Sequence, residues 1–390
     1  MSEFAKNIGR NDVMQFGILS TANIGKKLAI AMTECKDTNL VAVASRSFER
    51  AEEWIASESL DKLGVRGYGS YQALLDDPRI DAVYIPLPTT MHLEWIKKSA
   101  QAGKRYILCE KPIATTSKEL NEMLTACKEN NCYLMDGTMF IHHTRTKKLV
   151  SHLASIRFDE VHRAQSTFSF RGDDSFFKDN IRADSNLDPL GALGDLGWYC
   201  CRLSLLLFEI PPLYVKAECR KWSKDGKVPY DVTATIYYDN MKDRIFQFNC
   251  SFIQSFQQTY NISIQSKRLG GDGCDKIITC NDFVIPRSMM HTSYNIESHN
   301  ANGPFADIGA RVMSMSETIE VAECTQEIEM LSYLANLRHA ENNSNDDDTD
   351  IFAKHRDIEK SMIINQALMD AIMVACVRGN GDAVKVEIET

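Results

Sequence analysis

The clearest indication of the fold is the segment Met14-Gln15-Phe16-Gly17-Ile18-Leu19-Ser20-Thr21-Ala22-Asn23-Ile24-Gly25. The apolar run Met14 to Leu19 predicts a β-strand, and helical periodicity begins at Ile24, after a turn of small and polar residues. Short apolar runs and amphipathic helices keep alternating up to about residue 140. This alternation is typical of βαβ units on a parallel sheet, and the continuous apolar runs predict strands that are covered on both faces.

The predicted elements of this first part are strands at 14–19, 40–44, 82–86, 106–109 and 132–135 and helices at 24–34, 49–57, 92–102 and 117–130. After residue 140 few helices intervene, and strands are predicted at 162–170, 214–221, 232–238, 245–252, 260–265, 276–280 and 282–285. Several of these strands alternate apolar and polar residues, which favours a mostly antiparallel sheet with one packed and one open face. Helices are predicted at 325–342 and 357–377, with a solvated acidic loop at 342–350 between them.

The predicted fold class is therefore α/β. Residues 1–140 form an amino-terminal Rossmann dinucleotide-binding domain, and residues 141–390 form a carboxyl-terminal α+β domain with a large, mostly antiparallel open sheet. The last helices are free to pack back on the first domain. A length of 390 residues suits two domains, each with its own core.

Composition excludes several classes of protein. The chain has 53 Asp and Glu against 44 Lys and Arg, a net charge of −9, which argues against a protein that coats nucleic acid or an anionic membrane. Its 12 cysteines contain no CxxC pair and are interpreted as buried or idle thiols of a reducing compartment. No window approaches 18 apolar residues, and residues 1–13 lack the apolar core of a signal peptide. We therefore expect a cytoplasmic protein without a membrane or nucleic-acid partner, and no metal site.

The turn after the first strand resembles a phosphate-binding loop. In the GxGxxG fingerprint, small residues let the chain turn tightly and approach a pyrophosphate, while the following helix offers N–H groups and positive potential. Here those positions are Ser20, Ala22 and Gly25. The match is weak by itself, but its place in the first βα turn of the series favours nucleotide binding over an ordinary tight turn.

The end of the second strand predicts which dinucleotide is preferred. A site specific for NAD places Asp or Glu there to bind the ribose 2′-hydroxyl, whereas this chain has Ser45-Arg46-Ser47. A guanidinium with flanking hydroxyls suits a 2′-phosphate, which a carboxylate would repel. NADP(H) is therefore the preferred cofactor, with NAD(H) still possible. The alternative is that Arg46 is only a surface residue.

Candidate catalytic groups come from two motifs. Cys109-Glu110-Lys111-Pro112 closes a strand, and ligands of open α/β sheets bind at the carboxyl ends of their strands. Gly194-Asp195-Leu196-Gly197-Trp198-Tyr199 enters an apolar helix, where a spacing of four places Asp195 and Tyr199 on one face. A Tyr hydroxyl beside a Lys ammonium makes an acid–base pair, because the positive charge favours the phenolate. A surface Glu-Lys pair, a helix cap and a core aromatic are the alternatives.

These motifs together resemble a known family. The Ser20–Gly25 loop, Pro86-Leu87-Pro88-Thr89-Thr90-Met91-His92, Glu110-Lys111-Pro112 and the Asp195–Tyr199 motif have the order and spacing of the glucose-fructose oxidoreductase, inositol dehydrogenase and rhizopine catabolism (Gfo/Idh/MocA) family. The resemblance covers the chain from Phe16 to the last helix. It is closest to the branch of dimeric dihydrodiol dehydrogenases, D-xylose dehydrogenases and their plant relatives, although Ser20 and Ala22 replace glycines and many members have His near position 199.

The resemblance implies an oxidoreductase that acts on a carbohydrate-like or diol alcohol or carbonyl. Lys111 would bind and polarise the substrate oxygen, Asp195 would orient substrate or Lys111, and Tyr199 would donate or accept the proton while hydride passes between the carbinol carbon and the nicotinamide. The implied cofactor residues are Ser20, Thr21, Ala22, Asn23, Ile24, Ser45, Arg46, Pro88, Thr89, His92, Glu110 and Lys111. Weaker expectations for the substrate cleft are Phe168, Phe170, Arg171, Arg182 and Trp198.

Partners and alternatives follow from the same resemblance. The open sheet of the second domain is expected to form a homodimer or a larger homo-oligomer, and the only other partner expected is a small sugar, polyol or diol. A non-catalytic dinucleotide-binding sensor or regulator on the same fold is the main alternative, although such proteins tend to lose the Lys. A lyase or hydrolase that retains NAD through transient oxidation is a third possibility.

Overall fold

The computed structural model describes residues 13–155, 161–240, 243–265, 274–286, 292–300, 314–321, 325–343 and 349–388. Its contacts divide the chain into two compact units. Unit 1 comprises Met1–Met139 and Gln326–Met362, and unit 2 comprises Phe140–Thr325 and Ile363–Thr390. Unit 1 is thus built from two separate stretches of chain. The boundaries 1–140 and 141–390 remain a prediction about domains.

Unit 1 contains a six-stranded parallel sheet in the order β3-β2-β1-β4-β5-β6. The strands are β1 Met14–Leu19, β2 Thr38–Ala44, β3 Arg66–Tyr68, β4 Ala82–Ile85, β5 Tyr106–Cys109 and β6 Tyr133–Asp136. Between them run α1 Asn23–Glu34, α2 Phe48–Ser57, α3 Tyr71–Leu75, α4 His92–Gln101 and α5 Ser117–Glu129. This is the strand order of a Rossmann fold, whose direction of winding reverses between β1 and β4.

The short elements β3 and α3 were not predicted, because three residues around Gly67 and a five-residue helix carry too little periodicity. The close approach of α3 to β1 favours a glycine at position 17. A Cβ there would lie 2.6 Å from Cδ2 of Leu74, so α3 packs directly on the strand backbone.

Unit 2 contains a nine-stranded sheet in the order β14-β13-β12-β11-β7-β10-β9-β8-β15. All neighbours are antiparallel except β7 and β10, which confirms the predicted mostly antiparallel sheet. The strands are β7 Val161–Arg171, β8 Tyr214–Trp222, β9 Pro229–Tyr237, β10 Ile245–Ser251, β11 Ile253–Ile264, β12 Cys274–Cys280, β13 Thr292–Asn300, β14 Ser314–Val321 and β15 Val384–Lys385. Three helices belong to its first stretch, α6 Thr144–Ser155, α7 Asp174–Asp179 and α8 Trp198–Phe208.

The strand predicted at 282–285 is wrong, because this segment forms bends. The backbone N–H and carbonyl of Ile285 form hydrogen bonds with a side chain instead of with a neighbouring strand. The Gln258 amide donates to the carbonyl of Ile285 at 2.6 Å and accepts from its N–H at 2.7 Å. The strands β13, β14 and β15 were not predicted, since much of their sequence is polar or very short.

The nine-stranded sheet has one buried face and one open face. On the buried face lie apolar side chains such as Ala234, Phe246 and Ile262, and α8 packs on β7 and β10 of this sheet. The open face carries a groove of about 510 Å³ whose lining contains no Asp, Glu, Lys or Arg. We call this lining the polar groove; it consists of Gln165, Ser166, Thr167, Thr233, Gln247, Phe248, Asn249, Thr259, Tyr260, Asn261, Thr279 and Asn281.

Two further helices close the chain, α9 Gln326–Asn343 and α10 Thr349–Arg378. The predicted acidic loop at 342–350 falls largely on 344–348, which lie outside the described residues. Leu331, Leu334 and Leu337 of α9 are fully buried in the core of unit 1. Within the described residues, α10 is the one helix that is long and apolar enough to cross a membrane, and 61% of the window that meets this test is buried inside the structure. Burial of that kind is typical of a core helix.

Candidate functional site

The loop after β1 presents the start of α1 to the carboxyl edge of the sheet. The Ser20 hydroxyl accepts a hydrogen bond from the Ala22 N–H at 3.0 Å, and Ser20 has a φ of 155°, a backbone conformation that favours glycine. As far as the described residues extend, no side chain caps α1, and its first turn contains no acidic residue. The first N–H groups of a helix need partners from outside the helix, so an anion suits this terminus.

All five predicted loop residues, Ser20 to Ile24, lie in this turn or in the first positions of α1. Gly25 is less constrained than the fingerprint implies. A Cβ at this position would be 3.8 Å from Pro86 and Trp54, which is ordinary van der Waals contact.

A cationic cluster lies at the end of β2. Arg46 is exposed and follows the buried Ser45, and the exposed Arg50 lies in the first turn of α2, where its N–H donates to the Ser47 hydroxyl at 3.2 Å. Tyr71 of α3 joins them. Burial raises the pKa of Tyr71, while the charge of Arg46, a hydrogen bond with Ser20 and the charge of Arg50 act against that rise. Ser20 is therefore hydrogen-bonded to Tyr71, and Arg46 and Arg50 are near enough for their charges to act on it.

Sequence analysis identified Ser20 and Arg46 but missed Arg50 and Tyr71. Ser47 is an N-cap residue directly after Arg46, so the first turn of α2, which contains Arg50, was the place to look for a second cation. The sequence does not indicate that Tyr71 belongs to this cluster, since its position is set by α3, a helix that was not predicted.

His92 links two loops of unit 1 through its two ring nitrogens. It is 1% exposed, and its Nε2 lies 2.8 Å from the carbonyl oxygen of Leu87 while its Nδ1 lies 3.1 Å from that of Ile113. Burial lowers the pKa of His92, and the two carbonyls oppose this effect. Pro88 is partly buried, Thr89 is buried, and both precede α4 on the same loop. The predicted contacts of these three residues with a nicotinamide remain a prediction.

Lys111 follows β5 on a loop that a buried carboxylate holds in place. Glu110 is 7% exposed; its Oε1 accepts from the Tyr84 hydroxyl at 2.5 Å and its Oε2 accepts from the Lys111 N–H at 3.2 Å. The Lys111-Pro112 peptide bond, whose isomer the sequence leaves open, is cis. Tyr84 is fully buried on β4 and was missed by sequence analysis. The backbone of Lys111 is thus positioned through Glu110 by the neighbouring strand.

In unit 2, Asp195 lies in a π-helical turn, Leu193–Gly197, that runs directly into α8. The predicted common face of Asp195 and Tyr199 assumed α-helical spacing, whereas this turn is wider because it is bonded from i to i+5. Single π turns inside helices are frequent at functional sites. A Cβ on Gly197 would lie 3.2 Å from Sγ of Cys250, so the turn approaches β10 closely.

Tyr199 is held by aromatic rings of unit 2. It is 6% exposed, with ring centroids 5.9 Å from Phe140 and 5.7 Å from Phe168. Asp195 is paired with Arg182, whose Nε lies 2.9 Å from Oδ1 of the carboxylate. Two of the residues that were expected in the substrate cleft, Phe168 and Arg182, therefore contact the two candidate catalytic groups of this unit.

The other expected cleft residues are placed differently. Trp198 is fully buried, and its carbonyl oxygen accepts from the Asn365 amide at 3.4 Å. Phe170 packs against Phe176 with a centroid distance of 5.2 Å, and Arg171 is exposed at the end of β7. Trp198 thus offers no accessible surface to a ligand here.

Metal-binding clusters and disulfides are two further features to consider among the described side chains. Among the residues that the structure describes, no cluster of three or more His, Cys, Asp and Glu side chains is arranged to hold a metal ion. Ten cysteines whose side chains the structure describes are free thiols, and burial raises the pKa of Cys200 to about 12.

Comparison with known proteins gives two family matches and several relatives. Residues 14–138 match the oxidoreductase family with an NAD-binding Rossmann fold, Gfo/Idh/MocA, and residues 146–268 match a Gfo/Idh/MocA carboxyl-terminal domain. A D-xylose 1-dehydrogenase (NADP(+)) from Haloferax volcanii is 37% identical over 51% of this chain and 58% of its own length. A scyllo-inositol 2-dehydrogenase (NADP(+)) from Bacillus subtilis is 30% identical over 59% of this chain and 68% of its own length.

A solved structure has the same fold. A 3-ketoreductase from Actinomadura kijaniata, in complex with NADP and TDP-benzene, superimposes with a TM-score of 0.74 over 93% of this chain and 98% of that one, at 20% identity. The match with the haloarchaeal dehydrogenase, in contrast, spans little more than half of that relative's length.

Proposed function

Because the chain belongs to the Gfo/Idh/MocA family of oxidoreductases, we propose that it is an NADP-dependent dehydrogenase or reductase that acts on a carbohydrate-like or diol substrate. The observation that carries this proposal is the placement of three features at one edge of the sheet of unit 1. The Ser20 loop, Arg46 and Lys111 directly follow the carboxyl ends of β1, β2 and β5. Ligands of doubly wound sheets bind at this edge, beside the point where the direction of winding reverses.

The residues present at this edge fit a dinucleotide that carries a 2′-phosphate. The uncapped start of α1 suits the pyrophosphate, and Arg46 with Arg50 supplies two guanidinium groups for the extra phosphate. When bound, NADP supplies the acceptor for the hydride that leaves an alcohol carbon. Relatives named as NADP-dependent support the same cofactor.

The chain's own residues provide the remaining functions in this proposal. Lys111 holds the substrate oxygen through its ammonium, Tyr199 removes the proton from that oxygen, and Asp195 orients the reacting groups. The ring contacts of Tyr199 with Phe140 and Phe168 support a fixed position for its hydroxyl. A fixed acid–base group lowers the barrier because its orientation need not be found anew in each cycle.

The function is tested by incubating the purified protein with NADP and a panel of aldoses, inositols and trans-dihydrodiols while the absorbance of reduced nicotinamide is followed. We expect turnover of at least one substrate class. Cofactor binding without turnover of any substrate, in either direction, would contradict the proposal and favour the sensor. Retention of one cofactor molecule through many cycles would favour the lyase or hydrolase.

We further propose that two copies of the chain pair through the open face of the nine-stranded sheet. Half-exposed Thr and Asn side chains line the polar groove, and charged residues are absent from that lining. Charge depletion is unusual for a solvated face of a chain with 25% charged residues, and it is typical of the core of an interface. A second copy would offer the same hydrogen-bonding groups.

The substitution Thr167→Arg tests this pairing. Thr167 lies on β7 in the middle of the sheet and lines the polar groove. Two copies would bring two guanidinium groups together in a desolvated setting, so we expect the dissociation constant of the dimer to rise at least about tenfold. Sedimentation equilibrium measures it. The control is Thr33→Arg on the exposed side of α1. A monomeric parent protein, or a variant as dimeric as its parent, would contradict the pairing.

The proposal also places the enzyme in the cytoplasm. Free and mostly buried thiols among the described cysteines suit a reducing compartment.

A further inference from the structure

The ion pair between Arg182 and Asp195 is the feature of unit 2 that the proposed mechanism leaves unused. Arg182 Nε lies 2.9 Å from Asp195 Oδ1, with the Arg182 side chain 36% exposed and the Asp195 side chain 12% exposed. An arginine nitrogen at this distance from a carboxylate oxygen makes a charge-assisted hydrogen bond, which is stronger and more directional than a neutral one. The pair therefore fixes one oxygen, and with it the orientation of the carboxylate.

The segment that carries Arg182 is held by a series of side-chain caps. Asp173 accepts from the Phe176 N–H at 2.8 Å, Asn180 accepts from the Arg182 N–H at 3.0 Å, and Asp184 accepts from the Asn186 N–H at 2.9 Å. Each cap satisfies a backbone donor at a turn, so consecutive turns between β7 and α8 have a defined conformation.

Aromatic packing anchors the same segment to the sheet. The Phe176 ring of α7 lies 5.2 Å from Phe170 and 5.0 Å from Phe252, and the Phe177 ring lies 4.9 Å from Tyr230. These distances are typical of favourable ring pairs. The segment that carries Arg182 is thus packed on β7, β9 and the residue after β10, so the backbone from which the arginine extends has a defined position.

The partner residue is held as well. Asp195 lies in the π-helical turn that packs on β10 and continues into the helix of Tyr199. Both ends of the ion pair are therefore on ordered backbone.

From this geometry we infer that Arg182 is a positioning residue, which acts on the reaction by orienting the carboxylate of Asp195 and does not itself bind the substrate. The inference rests on the proposed function, since Arg182 is assigned as the partner of Asp195, one of the groups to which that function gives a role. It replaces the expectation that Arg182 lines the substrate cleft, because the guanidinium is directed at a side chain of unit 2.

A double-mutant cycle tests the inference with the full-length protein. We expect Arg182→Ala to lower kcat about 10- to 30-fold, the factor that loss of one charged hydrogen bond produces, while the KM for substrate changes less than about threefold. In an Asp195→Asn background the same substitution should have almost no further effect, because the group that it positions is already lost. Additive effects of the two substitutions would overturn the inference.

Rescue experiments separate positioning from folding. We expect guanidinium at low millimolar concentration to restore part of the kcat of Arg182→Ala but none of that of Asp195→Asn, and we expect Arg182→Lys to keep more of kcat than Arg182→Ala. The matched control is Lys178→Ala, which removes an exposed cation from α7 of the same segment. A rise in substrate KM without a fall in kcat would identify Arg182 as a substrate-binding group and overturn the inference.

The outcomes distinguish the two proposals. Turnover by the parent protein together with an unchanged Arg182→Ala rate would overturn the inference about Arg182 alone. Absence of turnover by the parent protein with every substrate and both cofactors would overturn the proposed function, and with it the role given to Arg182.

Discussion

Substituting Lys111 by Met, or Tyr199 by Phe, is expected to lower kcat by about 10² to 10⁴ while NADPH binding stays nearly unchanged. The loss is chemical in origin. Lys111→Met removes the charge that holds the substrate oxygen, and its backbone remains fixed through Glu110. Tyr199→Phe removes only a hydroxyl, since the ring keeps its contacts with Phe140 and Phe168.

Initial rates and a fluorescence titration with NADPH measure the two quantities separately. Matched controls are Lys118→Met, an exposed residue at the start of α5, and Tyr214→Phe, a partly buried residue on β8. Both controls should retain the parent rate. A normal rate in both Lys111→Met and Tyr199→Phe would remove the acid–base roles that we assign. A rate lost together with NADPH affinity would indicate a structural effect.

Replacing Arg46 and Arg50 together by Ala should raise the Kd for NADPH by about 10² to 10⁴ and leave the Kd for NADH nearly unchanged. Each guanidinium contributes a charged hydrogen bond to the 2′-phosphate, worth about 1.5 to 3 kcal/mol, and NADH has no such phosphate. The single variants should each lose about tenfold or more. We expect Arg50 to contribute as much to NADPH affinity as Arg46, although only Arg46 was predicted from the sequence.

Titration of intrinsic fluorescence with each nucleotide checks the change, and the ratio of the two affinities is the informative quantity. Arg66→Ala provides the control, because this exposed arginine begins the neighbouring strand β3, where it pairs with Ala42 and does not follow the carboxyl end of a strand. A parent protein that prefers NADH, or a double variant that loses both nucleotides equally, would contradict the assignment of these two arginines to a 2′-phosphate.

The alternation of strands and helices in unit 1 could be predicted because it is a local property. Each long strand is a run of apolar residues, and each long helix has its own periodicity, so β1, β2, β4, β5 and β6 were found near their actual bounds. The same reasoning located the loops at the carboxyl ends of those strands. Short elements failed for the same reason, since β3 and α3 are stabilised by contacts with their neighbours more than by their own sequence.

The contacts of the candidate site could not be predicted, because they join residues that are distant in sequence. Tyr84 reaches Glu110 from a neighbouring strand, and Arg182 reaches Asp195 across several turns. The π-helical turn could not be predicted either, since nothing in its residue pattern distinguishes backbone hydrogen bonds from i to i+5 from those from i to i+4. The roles of the predicted site residues remain predictions that the proposed variants test.

The division of unit 1 into two stretches of chain has a consequence for synthesis on the ribosome. The strands of its sheet are made first, but part of its core is supplied by α9, whose buried residues include Met330, Leu331, Leu334 and Leu337. Residues 140–325 must be translated in between, which takes about 10 to 40 s at about 5 to 20 residues per second.

During that interval the apolar surface that α9 later covers is exposed on the nascent chain. Each buried aliphatic side chain that is missing removes roughly 1.5 to 3 kcal/mol of stabilisation, so the amino-terminal sheet is incomplete while the strands of unit 2 emerge. The stretch that is translated first therefore belongs to a unit that is finished late, and a chain that stops before α9 would present the same uncovered surface to chaperones and proteases.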